Sequence, residues 1–190
     1  MFEYSMDVSF FYEVIPSPLG DVGIVWVQKN VAPSVARIFL PQKDGAIDEA
    51  INSEYPGAVK ESKNNPDKIR SQIREYMKGY TVEFSLESLD MEQCYDFQKK
   101  VLLKLSQVPR GKVVSYGQLA GKIGAPGAAR AVGTALARNP FPIILPCHRV
   151  VKSTGHPGNF GGGQKLKEAL LRLEGIKLSD KGKIDHCYFW

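Results

Sequence analysis

The chain has 190 residues, 43% of them hydrophobic and 24% charged, with no apolar run near the ~20 residues that a membrane helix needs. Its first residues carry acids at Glu3 and Asp7 and no basic run, so no secretory signal is expected there. The net charge of +5 is unevenly divided: residues 1–90 hold nine Lys/Arg against fourteen Asp/Glu, and residues 91–190 hold sixteen against six. A basic half of that kind either attracts polyanions, nucleic acid foremost, or is a solvated face without a partner; charge alone leaves both open.

Residues 9–40 read as three short strands, FFYEVIPSP, GDVGIVWVQ and SVARIFLP, with turn signals at Pro18–Gly20 and Lys29–Pro33. A helix is expected from about Ala46 to Tyr55. A second should start in NPDKIRSQIREYMKGY, with Asn65 as N-cap and Pro66 at the first helical position. TVEFSL, residues 81–86, then looks like a last strand. The composition changes near Asp90, where MEQCYDFQKKVLLKLSQV places Cys94, Phe97, Val101, Leu102 and Leu105 on one helical stripe. Cys94 is therefore expected in the core.

After the Pro109–Gly111 turn, Ser115 and Gln118 in SYGQLAGKIG have capping-box spacing. GAPG at 124–127 breaks the chain, and AARAVGTALARNP forms a further helix that must stop before Pro140. Two short helices around a glycine turn give a helix-turn-helix pattern at about 115–138, although many helical hairpins share it. In the second helix Ala128, Ala131, Val132, Ala135 and Leu136 face one way, and Arg130, Thr134 and Arg138 recur on another face. Such a helix, free of bulk apart from its arginines, can approach a DNA groove closely; it can equally be an Ala-rich packing helix with solvated arginines. The expected fold class is α+β: a small N-terminal α/β domain with an antiparallel sheet over 1–90, and a mainly helical domain over 91–190.

LPCHRVV, residues 145–151, sets a thiol, an imidazole and a guanidinium side by side between apolar runs. The thiolate is the nucleophilic form of cysteine, and nearby positive charge favours it. On an extended chain Cys147 and His148 would point to opposite sides, so they would meet through a water or a bend. Asn139, eight residues upstream, has the side chain to pin a tight turn. GNFGGG, residues 158–163, lets backbone N–H groups approach a ligand and leads into the helix QKLKEALLRLEG. Glu174, at its end, can accept from the second nitrogen of His148 and hold its tautomer. Three cysteines, Cys94, Cys147 and Cys187, suit a reducing compartment better than a disulfide framework, so a cytoplasmic location (nuclear in a eukaryote) is expected.

VPRGKVVSYGQLA, AARAVGTALARNPFPIILPCHRVV and GNFGGGQKLKEALLRLEG occur in the order and at the spacing of one known domain. Residues 91–175 resemble the catalytic domain of the O6-alkylguanine-DNA alkyltransferases, the methylated-DNA–protein-cysteine methyltransferases. The N-terminal half resembles that family's partner domain only in kind. The resemblance implies a repair protein that transfers the alkyl group of O6-alkylguanine in double-stranded DNA to its own Cys147, once per molecule, with no cofactor and as a monomer. It implies that His148 deprotonates Cys147 through a water, that Glu174 orients His148, and that Asn139 braces the turn before the cysteine. Tyr116 would protonate the leaving guanine. Arg130 would enter the base stack, with Ser115, Ala128, Thr134 and Arg138 also at the DNA. Cys147, Val150, Phe160, Gly161 and Gly162 would surround the flipped base, whose extrusion is needed because a paired O6 is out of reach.

Two departures stand out. Phe160 stands where many relatives have tyrosine, so a pocket hydroxyl is lost while the ring remains. A cysteine and histidine cluster that some relatives use for zinc is absent, since no cysteine precedes Cys94 and the N-terminal half has no histidine; no metal is expected. A non-catalytic alkylguanine-binding module is the main competitor, but such relatives replace the active cysteine. A papain-type hydrolase would want another signature around the cysteine. The tail IDHCYFW is expected to pack down.

Overall fold

The computed structural model describes residues 9–28, 32–42, 47–61 and 66–190. The expected N-cap Asn65, the helix start at Ala46 and most of the Lys29–Pro33 turn lie outside these residues. Strands β1 (Phe10–Ile15), β2 (Val22–Gln28) and β3 (Pro33–Phe39) form an antiparallel meander, with Tyr12 opposite Val25 and Ile24 opposite Ile38. β2 is buried along most of its length because both faces of the sheet are covered. Helix α1 (Ile47–Glu54) lays Ile47 and Ile51 on Tyr12, Val25 and Phe39 on one face. On the other, Ile24, Trp26, Val35 and Ile38 enter the main core.

Two departures from expectation concern sheet edges. A fourth strand, β4 (Val59–Lys60), pairs parallel to β1. Both its residues are exposed, so no hydrophobic pattern announced it. TVEFSL forms no strand. Its period-two pattern is real, since Val82, Phe84 and Leu86 pack against the core, but the Glu83 carbonyl is taken by the Gln72 side chain at 2.6 Å. Alternation reported burial here and not a ladder.

Helix α2 (Asp67–Met77) buries Ile69, Ile73, Tyr76 and Met77, and Pro66 stands at its N-cap, one place earlier than expected. The stripe after Asp90 is split. Residues Met91–Gln93 make a 3₁₀ turn, Cys94 is extended, and α3 runs only from Asp96 to Leu105. Cys94 is still buried, as a core residue outside the helix.

Helices α4 (Tyr116–Lys122) and α5 (Ala129–Ala137) form the expected helix-turn-helix. Ser115 caps α4 through a complete capping box with Gln118. Of the apolar face expected on α5, Val132, Ala135 and Leu136 are buried and Ala128 is half-buried, but Ala131 is exposed. The short β5 (Val114–Ser115) pairs parallel with β6 (Val150–Val151), tying the entry of the helix-turn-helix to the chain just past Cys147. Helix α6 (Gly163–Leu173) closes the fold. The aromatic tail packs down: Val113 donates to the Tyr188 carbonyl and accepts from Trp190, both at 2.9 Å. The Trp190 ring lies under Lys122.

One core cluster runs from Ile15 in β1 to Leu170 in α6, so both halves of the chain share it. Polar ties reinforce the join, among them Ile38 N–H to the Pro140 carbonyl and Gln93 to the Ala36 carbonyl, each at 2.8 Å. Among the described residues no helix is long and apolar enough to cross a membrane.

Candidate active site

The chain between α5 and β6 turns tightly. Asn139 is buried, its amide donates to the Leu145 carbonyl at 2.8 Å, and its oxygen accepts from Phe141 N–H at 3.0 Å. Within this loop Ile143 has φ 75°, a left-handed conformation that a β-branched residue adopts only when its surroundings impose it. The loop delivers Cys147–Arg149 as a 3₁₀ turn and not as the extended strand end expected from the sequence. The strict alternation of Cys147 and His148 across a strand therefore does not apply.

Cys147 lies at the wall of a cavity of about 760 Å³ between α5 and the 158–161 loop. Tyr116, Arg130, Gly133, Thr134, Phe160 and Gly161 also line it. Gly158, at φ 76°, adopts a left-handed conformation that favours glycine, and a Cβ there would sit in ordinary contact, 3.4 Å, with the Tyr116 phenol oxygen. Burial, and then the charge of a Cys147 thiolate, raise the Tyr116 hydroxyl above its ordinary range, so it is a proton donor at neutral pH.

Burial dominates the thiol as well. It pushes Cys147 above the ordinary cysteine value, against the opposing pull of Asn139, Lys167 and two backbone groups. Nearby positive charge does favour the thiolate, but it comes from Lys167 and burial outweighs it; the Arg149 guanidinium is spent elsewhere. It grips Glu174 through Nε at 2.9 Å and Nη2 at 2.7 Å, and its other arm donates to the Val108 carbonyl. Glu174 also meets His148 Nε2 at 3.0 Å and accepts from the Tyr76 hydroxyl at 2.8 Å. Burial alone would raise the Glu174 carboxyl; the positive charge and hydrogen bonds of His148 and Arg149 outweigh it and hold it well below the carboxylate range. Burial lowers His148 despite Glu174, so at neutral pH the imidazole is neutral and Arg149 is the cation that balances the carboxylate. His148 Nδ1 is buried and has no hydrogen-bond partner.

Of the remaining expected residues, Arg130 and Thr134 are exposed on α5 at the cavity rim. Arg138 is exposed at the α5 C-terminus and is not among the cavity residues. Ala128 is half-buried against the core. Ser115 departs from the DNA-facing position expected for it, being buried with its hydroxyl engaged in capping α4. Val150 is buried in β6, and its carbonyl accepts from Lys167 Nζ at 2.6 Å. Gly162 lies beside Leu166 and Leu40, just behind the cavity wall formed by Phe160 and Gly161.

Three residues were missed. Lys152 lines the cavity mouth and is exposed. Lys167 is fully buried, and burial lowers it to about 8 against the supporting charge of Cys147. A lysine between Leu166 and Leu170 on the buried face of α6 was a readable anomaly. Tyr76 gave no such signal, because its place on the α2 stripe is that of an ordinary core aromatic.

This electrostatic arrangement makes the fold acid-sensitive. His148 binds its proton more weakly folded than unfolded, so stability falls as pH drops below its ordinary 6.5, by at most about 1.4 kcal/mol per pH unit for one proton. Glu174, depressed below its ordinary 4.5, adds a second loss in more acidic solution. Urea midpoints measured from pH 8 to 5 should be level at first and then fall; His148→Asn should remove the fall between 6.5 and 5.

Comparison with known proteins agrees with this geometry. Residues 96–176 match the family described as 6-O-methylguanine DNA methyltransferase, DNA binding domain. The methylated-DNA–protein-cysteine methyltransferase of Methanothermobacter thermautotrophicus is 38% identical over 161 residues, covering 85% of this chain and 83% of that one. The Salmonella typhimurium protein of the same name is 36% identical over 169 residues, covering 87% and 96%. Among solved structures, Mycobacterium tuberculosis OGT in complex with DNA superposes with a TM-score of 0.70 at 33% identity, covering 86% of this chain and 92% of that one. These matches extend well beyond the catalytic motifs into the N-terminal half, and the chain belongs to the methylated-DNA–protein-cysteine methyltransferase family.

Proposed function

We propose that this chain repairs O6-alkylguanine in duplex DNA by transferring the alkyl group to Sγ of Cys147, irreversibly and once per molecule. The observation that carries the reading is a buried thiol on the wall of a cavity whose rim is the exposed face of α5, next in sequence to a His148 buried against Glu174. The O6 carbon of a paired base is out of reach, so the base must leave the stack to enter the cavity. Arg130, exposed at the rim, occupies the gap that the base leaves. The basic C-terminal half supplies sequence-independent attraction to phosphates.

The chemistry follows from the protonation states. A protonated thiol is a poor nucleophile, so Cys147 gives its proton to the neutral His148, whose resulting charge is balanced by Glu174. The sulfur then forms a bond to the alkyl carbon as the carbon–O6 bond breaks. Tyr116 donates a proton to the departing guanine and regains one from His148, so the thiol proton ends on the base. The product thioether has no easy reversal, and no cofactor enters the balance. Asn139 holds the turn that presents the sulfur, and Phe160 supplies an apolar wall with no hydroxyl.

Incubation with a duplex containing O6-methylguanine, followed by digestion and mass spectrometry, should find one methyl group on the Cys147 peptide. Cys147→Ala should accept none and bind the duplex within a few-fold of wild type. Methyl groups on Cys94 or Cys187 in that variant, at the wild-type rate, would refute the assignment. The role of Arg130 is separable from chemistry. Arg130→Ala should slow repair in duplex DNA by at least about tenfold, the effect of losing ~1.4 kcal/mol of stack support, and react almost normally with free O6-benzylguanine, which needs no extrusion. Equal losses on both substrates would make Arg130 part of the pocket instead.

A further inference from the structure

Resting on the proposed alkyl transfer, we infer that Tyr76, contributed by α2 of the N-terminal half, is a positioning residue that holds the His148 ring with Nδ1 as its free basic nitrogen. Tyr76 is 1% exposed, and its hydroxyl is the only group besides Glu174 given a hydrogen bond to the His148 ring among the described residues. The phenol oxygen lies 2.8 Å from Glu174 Oε1 and 3.1 Å from His148 Nε2, closing a triangle with the 3.0 Å contact between them.

Proton counting fixes the triangle. Burial, and then the Glu174 charge, keep the phenol protonated, and it has one proton to donate. Glu174 is ionised and can only accept, so the phenol proton is directed to it. The phenol oxygen then has lone pairs facing Nε2, and so does the carboxylate. Glu174 by itself calls for Nε2–H, and the phenol, its proton committed to Glu174, adds a second acceptor on the same atom; a proton on Nδ1 would leave a bare Nε2 facing both in a buried space. The tautomer with bare Nδ1 is therefore selected, and Nδ1 is the buried ring nitrogen without a partner. This is the ring's free basic atom, and the thiol proton reaches it through a water, since no hydrogen bond joins it to Cys147 Sγ among the described residues.

Arg110 holds the phenol in turn. Arg110 lies over the Tyr76 ring at 5.4 Å and is itself tied to the carbonyls of Gly79 at 2.9 Å and Leu173 at 2.6 Å. Phe84, in the irregular segment after α2, packs against the ring at 5.8 Å between centroids and has no polar atom with which to orient the hydroxyl. The N-terminal half thus reaches the reacting centre through one hydroxyl, two residues removed from the sulfur.

The test compares Tyr76→Phe with Phe84→Leu in the full chain. Phe84→Leu loosens the same packing and keeps the hydroxyl. Tyr76→Phe should transfer about tenfold more slowly to both O6-benzylguanine and methylated duplex, a loss of ~1.4 kcal/mol, with unchanged duplex affinity. Phe84→Leu should transfer at the wild-type rate even where its melting temperature falls further. Ring ¹⁵N shifts of His148 should report a neutral ring protonated at Nε2 in wild type and Phe84→Leu, and in Tyr76→Phe an Nε2–H that Glu174 alone retains, with its shift displaced from the wild-type value. A wild-type rate for Tyr76→Phe, or equal slowing in Phe84→Leu, overturns the inference. Failure of wild type itself to alkylate Cys147 would instead overturn the transfer reading beneath it.

Discussion

A single carboxylate, that of Glu174, sits at 6% exposure where α6 ends, and two other parts of the chain must be in place for it to be there. An unpartnered charge in such a site would cost several kcal/mol. Arg149 supplies the counter-charge from the turn that carries Cys147, His148 supplies an N–H from the same turn, and Tyr76 supplies a hydroxyl from α2. Burying this carboxylate therefore selects the register between the active-site turn and α6, and it locks the N-terminal half against both.

The rest of the site follows from that anchor. With Arg149 committed to Glu174, no guanidinium remains beside the sulfur, and burial keeps the thiol protonated. Reactivity waits for a substrate positioned in the cavity, with the neutral imidazole adjacent. Lys167, buried and held by the Val150 carbonyl, contributes positive charge near the sulfur that becomes useful only once the thiolate forms. In the proposed reading substrate selection and activation are separate: the α5 face and the 158–161 loop would shape entry, and the His148–Glu174 cluster would move the proton.

Much of this was readable from residue order. The capping box at Ser115, the helix-turn-helix, the turn-forming Asn139 and the pairing of His148 with Glu174 all rest on local spacing or on motifs whose chemistry is explicit. What could not be read was long-range. The β4 edge strand has no pattern because it buries nothing. TVEFSL carried a strand pattern whose partner was a side chain. Arg149 looked like an activator of its neighbour until the fold brought Glu174, twenty-five residues away, into its grip. Tyr76 lies 72 residues from His148 and looks like any core aromatic in α2. The division into an N-terminal and a catalytic half remains a useful proposal for the motifs, yet the main core and the carboxylate cluster both cross it.

The central claim is that Cys147 rests as a neutral thiol and is deprotonated by a neutral His148, in place of a standing thiolate–imidazolium pair. Ultraviolet titration of thiolate absorbance, taken as the difference between wild type and Cys147→Ala to remove Cys94 and Cys187, measures this directly. The account predicts no Cys147 thiolate at neutral pH, with its titration displaced above the ordinary cysteine value. A thiolate already present at neutral pH, titrating below that value, would contradict it.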